Sequence, residues 1–130
     1  MEEITYTREF LDHFKNPRNT GEIKDPDGMA TVSNPVCGDT MKLFLRIEGD
    51  RITEIRYKTF GCEASIAASS VLTTLVKSRS LAEATALTPE EISQALGGLP
   101  RVKQHAADLV IEALEEALDD YRARRGKGKS

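Results

Sequence analysis

From Met29 onward the hydrophobic period of this 130-residue chain falls to two, and no other stretch constrains the fold as tightly. Ala30 to Val36 reads as one strand. Met41, Leu43, Leu45 and Ile47 alternate with Lys42, Phe44 and Arg46 to give a second, and Ile52 to Thr59 a third. Glu48-Gly49-Asp50-Arg51 lies between the last two as a hairpin turn, so the pair must run antiparallel. A sheet of three short strands needs cover on one face, and the rest of the chain has helical period to supply it.

Thr5 to Lys15 predicts a short helix, with Tyr6, Phe10 and Phe14 (Leu11 alongside) at helical spacing. Pro17 pushes Asn16 out of the α region and ends it, and Glu22 to Gly28 reads as polar loop. Cys62 to Lys77 predicts a helix whose Ala67-Ala68-Ser69-Ser70 segment permits close packing. Ser80 with Glu83 opens a brief helix over Leu81 to Leu87. Thr88-Pro89-Glu90-Glu91 opens another that runs to Leu96 and stops at Gly97-Gly98. Val102 to about Arg122 predicts a long helix with Leu109, Ala113, Ala117 and Tyr121 down one stripe. The expected architecture is α+β: a three-stranded antiparallel sheet covered on one face by helices, with a short N-terminal helix and a long C-terminal one. Residues 1–122 are expected as a single domain, and 123–130, basic and glycine-containing, as a flexible tail.

Composition excludes several function classes. A net charge of −3 argues against nucleic acid as the main partner, because phosphate binding needs a basic face. No apolar run approaches the roughly 20 residues needed to span a bilayer, so no membrane partner is expected. The acidic opening Met1-Glu2-Glu3 is followed by no apolar signal region, which points to the cytoplasm. No nucleophile, base and oxyanion constellation stands out, so the chain is not read as an enzyme.

Chemistry concentrates at the two cysteines. Cys37-Gly38-Asp39 places a thiol and a carboxylate at i and i+2, which in an extended segment leave one face about 6.5 Å apart. Cys62 opens the small-residue helix, where the positive end of the helix dipole favours thiolate. His105, far along the chain, completes a candidate set of metal ligands with Cys37, Asp39 and Cys62. Set against this are inert buried thiols or a disulfide, the latter disfavoured in a reducing compartment. Asp39 also reads as a strand-end carboxylate, His105 as a surface or capping residue, and His13 as a packing residue of the first helix. Lys103 reads either as a cation beside the thiolates or as a solvated helix-start lysine.

Four segments resemble a known family. They are Tyr6 with Asp12-His13-Phe14-Lys15-Asn16-Pro17-Arg18-Asn19, then Asn34-Pro35-Val36-Cys37-Gly38-Asp39-Thr40-Met41-Lys42, then Thr59-Phe60-Gly61-Cys62, then Leu99-Pro100-Arg101-Val102-Lys103-Gln104-His105. In this order they are similar to the IscU/NifU-type iron–sulfur cluster assembly scaffolds, over about Tyr6 to Tyr121. The resemblance implies a scaffold that assembles or carries a labile [2Fe–2S] cluster and transfers it to apo-proteins. It implies sulfur from a cysteine desulfurase and release aided by Hsp70/J-protein chaperones. Cluster ligands would be Cys37, Asp39 and Cys62, with His105 beside them. Leu99, Pro100, Val102 and Lys103 would form the chaperone-binding loop. Zinc is expected in the cluster-free form, and the protein as a monomer or weak homo-oligomer.

Three departures bear on that expectation. Arg101 stands where the family loop has a second proline, and Glu63 where a glycine follows the second cysteine. Ala106 stands where the family has a third cysteine, which is a cluster ligand and often the sulfur acceptor. Cys37, Cys62, Asp39 and His105 still make a four-ligand set that suits zinc, and mixed thiolate and imidazole ligation also suits a [2Fe–2S] cluster. Two other readings stand open: a zinc-binding regulatory paralogue, and an engineered third-cysteine variant of an ordinary scaffold.

Overall fold

The computed structural model describes residues 6–34 and 38–127. In order, the elements are α1 (Arg8–Lys15), β1 (Gly28–Asn34), β2 (Asp39–Glu48), β3 (Arg51–Phe60), α2 (Glu63–Val76), α3 (Leu81–Thr85), α4 (Pro89–Ala95), a single 3₁₀ turn (Arg101–Lys103) and α5 (Gln104–Lys127). The three strands form one antiparallel sheet in the order β1-β2-β3. Helices cover one face, α5 over β1 and β2 and α2 over β3. The predicted α+β architecture is the one observed. β1 starts two residues earlier than expected, and Pro35 and Val36, assigned to it from sequence, lie outside the described residues.

Alternation in β2 puts Met41, Leu43 and Leu45 on the helix side, all fully buried. In β3, Ile52 and Ile55 are three residues apart and cannot share a face of a regular strand. The register slips between Arg46 and Ile47, so that Arg46 pairs with Glu54 but Ile47 with Ile52. Thr53 is the extra residue of this bulge, and both isoleucines are thereby fully buried. α2 has buried residues around nearly its whole circumference. Its small side chains make it the central helix, packed against α1, α4, α5 and β3.

The segment expected as plain loop has a packing role. Arg46 points to the outer face of the sheet and donates to the carbonyls of Lys24 (2.7 Å) and Asp25 (2.9 Å). The Asp27 carboxylate accepts from the Ile47 N–H at 2.8 Å, and Lys58 pairs with Glu22 at 2.9 Å. Residues 22–27 thus strap the outer face, and Ile23 and Phe44 are both buried there. Phe44 sits among the polar positions of β2 and is nonetheless buried, with Met29 and Arg56 as its cross-strand partners.

Two helices depart from the sequence reading. α1 begins only at Arg8, because Thr7 caps it by accepting from the Phe10 N–H, and the Thr7 hydroxyl also donates to the Leu96 carbonyl. Tyr6 therefore precedes the helix and stacks on Phe10, with ring centroids 3.9 Å apart. Phe10 alone of the expected stripe joins the core, leaving Leu11 and Phe14 at the rim. α5 runs to Lys127 rather than ending near Arg122. Arg124 pairs with Asp120 one turn back at 2.9 Å and donates to the Pro26 carbonyl at 3.1 Å, so the first part of the segment expected as a flexible tail continues the helix, while residues 128–130 lie outside the described residues.

A polar seam joins α1 and the Asn16–Asn19 turn to α2. His13 Nδ1 lies 2.7 Å from the Ser70 hydroxyl, which also accepts from the Arg18 N–H, and Asn19 donates to Thr73. Burial, and then the Arg18 charge, push the His13 imidazole below its ordinary 6.5 against the pull of Asp12. A histidine with a depressed folded-state pKa contributes stability that is complete above its unfolded value and is lost as pH falls through the folded one. Denaturant unfolding measured as a function of pH is expected to show stability declining from about 6.5 downward. His13→Gln, which keeps an amide to meet Ser70, is expected to flatten that limb; an unchanged slope would remove His13 as its source.

Candidate functional site

Asp39 begins β2 directly after the β1–β2 turn, paired with Asn34 across the hairpin. Its side chain is almost fully buried. Gly61, at the end of β3, makes room for it. With φ at +155°, Gly61 lies so close that an added Cβ would fall 2.2 Å from Asp39 Oδ1. Cys62 follows as the N-cap of α2 in extended conformation. The sulfur does not cap the helix. Instead the Cys62 N–H donates to Asp39 Oδ1 at 3.0 Å, and the Ser65 hydroxyl to Asp39 Oδ2 at 2.6 Å. A carboxylate from a neighbouring strand thus serves the helix start.

His105 enters from the first turn of α5. Its Nε2 lies 3.3 Å from Asp39 Oδ2 and 3.9 Å from Cys62 Sγ, and that sulfur lies 3.6 Å from the same oxygen. One oxygen, one nitrogen and one sulfur converge within 4.8 Å of each other. Tetrahedral zinc with ligand bonds of about 2.0–2.3 Å has edges of roughly 3.3–3.6 Å. The three donors therefore stand close to the spacing that one metal ion would impose. Burial pushes the Asp39 carboxyl up, but the Ser65 hydroxyl, the Cys62 N–H and thiol, and His105 together outweigh it. The group is held below the usual carboxylate range, hence ionised and an acceptor. His105 also lines an open cleft of about 280 Å³ with Ser33, Asn34, Asp108, Leu109 and Glu112.

Of the four expected ligands, Asp39, Cys62 and His105 are brought together, and Cys37 lies outside the described residues. Gly38 is in a turn with φ at +75°, and its N–H donates to the Asn34 carbonyl at 2.7 Å. The extended-segment geometry expected for Cys37 and Asp39 therefore does not hold at the residue between them. Lys103 Nζ lies 3.7 Å from the carboxylate of Glu63, the residue after Cys62. Glu63 also accepts from the Tyr6 hydroxyl at 2.6 Å. The bond from Tyr6 comes first among the causes that hold the Glu63 carboxyl below its usual range, with Lys103 adding to it against burial. The four loop residues separate: Leu99 is a core residue, Pro100 is half-buried, Val102 is 67% exposed and Lys103 is paired. Ala106, one residue after His105, is fully buried.

Ser65 was not singled out from sequence. Its position three residues after the helix N-cap is the signal, since a hydroxyl there faces whatever meets the helix start.

A family model described as the NifU-like N terminal domain matches residues 5–128. The chain is 45% identical over 122 residues to the iron-sulfur cluster assembly scaffold protein IscU 1 of Archaeoglobus fulgidus, covering 94% of this chain and 80% of that relative. It is 40% identical over 126 residues to the scaffold protein IscU of Escherichia coli, covering 94% and 98%. The crystal structure of a nitrogen-fixing NifU-like protein (N-terminal) from Brucella abortus superposes with a TM-score of 0.75 over 90% of this chain and 94% of that one. Identity there is 19%, so this likeness speaks for the fold.

Gly61→Ala should expel the Asp39 carboxylate from its place, because the clash is with that side chain and the backbone conformation is strained for alanine. Zinc affinity measured by competition with a chromophoric chelator is expected to fall at least tenfold while far-UV circular dichroism stays helical. Retained affinity would show that the carboxylate has no part in binding.

Proposed function

The chain belongs to the NifU-like N-terminal domain family, and on that premise we propose that it is a scaffold carrying an iron–sulfur cluster as cargo, assembled on it or delivered to it, then passed to apo-proteins. The observation that carries this reading is the convergence of the Asp39, Cys62 and His105 donors at the start of α2. Scaffold relatives at 40–45% identity over nearly the whole chain support it.

A [2Fe–2S] cluster needs two terminal ligands on each iron. Cys62, His105 and Asp39 supply three, and Cys37, two residues before Asp39, supplies the second thiolate. Thiolate and imidazole are durable partners for iron, and the carboxylate is a harder, weaker one. Such a mixed set retains its cargo loosely, as a donor to other proteins must. Sulfur comes from a cysteine desulfurase and release is assisted by Hsp70/J-protein chaperones. The chaperones would meet Val102 and the backbone around Pro100, since Leu99 is in the core. The chain acts without turnover of its own, in the cytoplasm, as a monomer or weak homo-oligomer. Among the described residues no helix is long and apolar enough to cross a membrane.

The donor spacing favours a second state. Three donors at single-ion distances suit a mononuclear zinc in the cluster-free form, and seating two irons requires the set to part. The same spacing would serve a zinc-binding regulatory paralogue, in which Ala106 marks the loss of assembly.

Anaerobic reconstitution with ferrous iron, cysteine and a cysteine desulfurase separates these. Iron and acid-labile sulfide in equal amounts, with visible absorption, are expected for the parent protein and lost in Cys37→Ala and Cys62→Ala. Zinc with no sulfide under any condition would overturn the scaffold reading and support the regulatory one or that of an engineered third-cysteine variant, and variants that load like the parent would sink the ligand assignment.

A further inference from the structure

We infer that Ser65 is a positioning residue that aims Asp39 Oδ2 at the metal shared with Cys62 and His105; this rests on the metal-binding reading of the site given above. Hydroxyl residues in helices ordinarily close back on the preceding turn. On α2, Ser69 does so onto the Ser65 carbonyl at 2.7 Å, Thr73 onto Ser70 and Thr74 onto Val71. Ser65 does not. Its hydroxyl donates to Asp39 Oδ2 at 2.6 Å and lies 3.6 Å from Cys62 Sγ, with no exposure to solvent.

The oxygen it bonds is the one that faces the other donors, 3.3 Å from His105 Nε2 and 3.6 Å from the sulfur. The second oxygen is held by the Cys62 N–H, beside Gly61, whose missing Cβ leaves it room. These contacts set the rotation of the carboxylate. On the metal-facing oxygen, Ser65 is the contact made by a group that is not itself one of the three metal donors. A carboxylate oxygen has two lone pairs, so Oδ2 can keep the Ser65 bond while giving the other pair to a metal. Partners of this kind orient metal ligands and typically change affinity about 10–100-fold when removed.

Cobalt(II) is the probe, because its thiolate charge-transfer band reports the sulfur bond and its d–d bands report coordination number. Ser65→Ala and Ser69→Ala delete the same atom from the same helix, and alanine supports the helix at both positions. The full chain of each is titrated with cobalt, and its thermal unfolding is recorded alongside. Ser65→Ala is expected to weaken cobalt binding about 10–100-fold and to shift or weaken the d–d bands while retaining the thiolate band. Ser69→Ala is expected to alter thermal stability only. If Ser65→Ala matches the parent in affinity and d–d spectrum, or if the two variants lose affinity alike with spectra unmoved, the positioning role is overturned. A parent protein without a thiolate band would overturn the metal-site reading itself.

Discussion

The Asp39 carboxylate is almost fully buried, and a buried charge persists only where donors surround it. Here those donors belong to the start of α2: the Cys62 N–H and the Ser65 hydroxyl. The first backbone N–H groups of a helix lack partners within it, so each side answers the other's need. Because Asp39 opens β2 and α2 follows β3, this one contact locks the sheet's end against its covering helix. It also brings a carboxylate and a thiol together at a place reached by the start of α5. The candidate site is a by-product of how the fold closes at that end.

The elements that meet there are held by different contacts. α2 is buried on nearly all sides, and its hydroxyls are tied by named partners. α5 approaches from a single 3₁₀ turn after Pro100, with half-buried His105 in its first helical turn. The Tyr6, Glu63 and Lys103 contacts join the N-terminal segment, α2 and that turn just outside the donors. Ala106 adds no donor atom there, so the chemistry rests on residues that also hold the fold together.

Much of this was legible along the chain. Alternation from Met41 to Ile47, broken only by Phe44, predicts β2, and the capping pairs Ser80/Glu83 and Thr88/Glu91 predict α3 and α4, because such signals are local. The bulge at Thr53 was not legible, since it exists to bury Ile52 and Ile55 on one face against helices distant in sequence. The strap on the outer face was not legible for the same reason: its bonds run between backbone carbonyls and Arg46 some 21 and 22 residues away. The extension of α5 depends in part on a contact from Arg124 to Pro26.

The residue types of the site, Asp39, Cys62 and His105, could be chosen from sequence because few side chains bind metals and this chain has only two cysteines and two histidines. Their convergence could not. It needs β2, α2 and α5 to meet at one point, and long-range packing decides that. Ser65 and Gly61 acquire their roles only there, one by donating to a carboxylate 26 residues back and the other by leaving it space. Local period and capping determined the elements. Burial of one charge against one helix start decided where their chemistry lies.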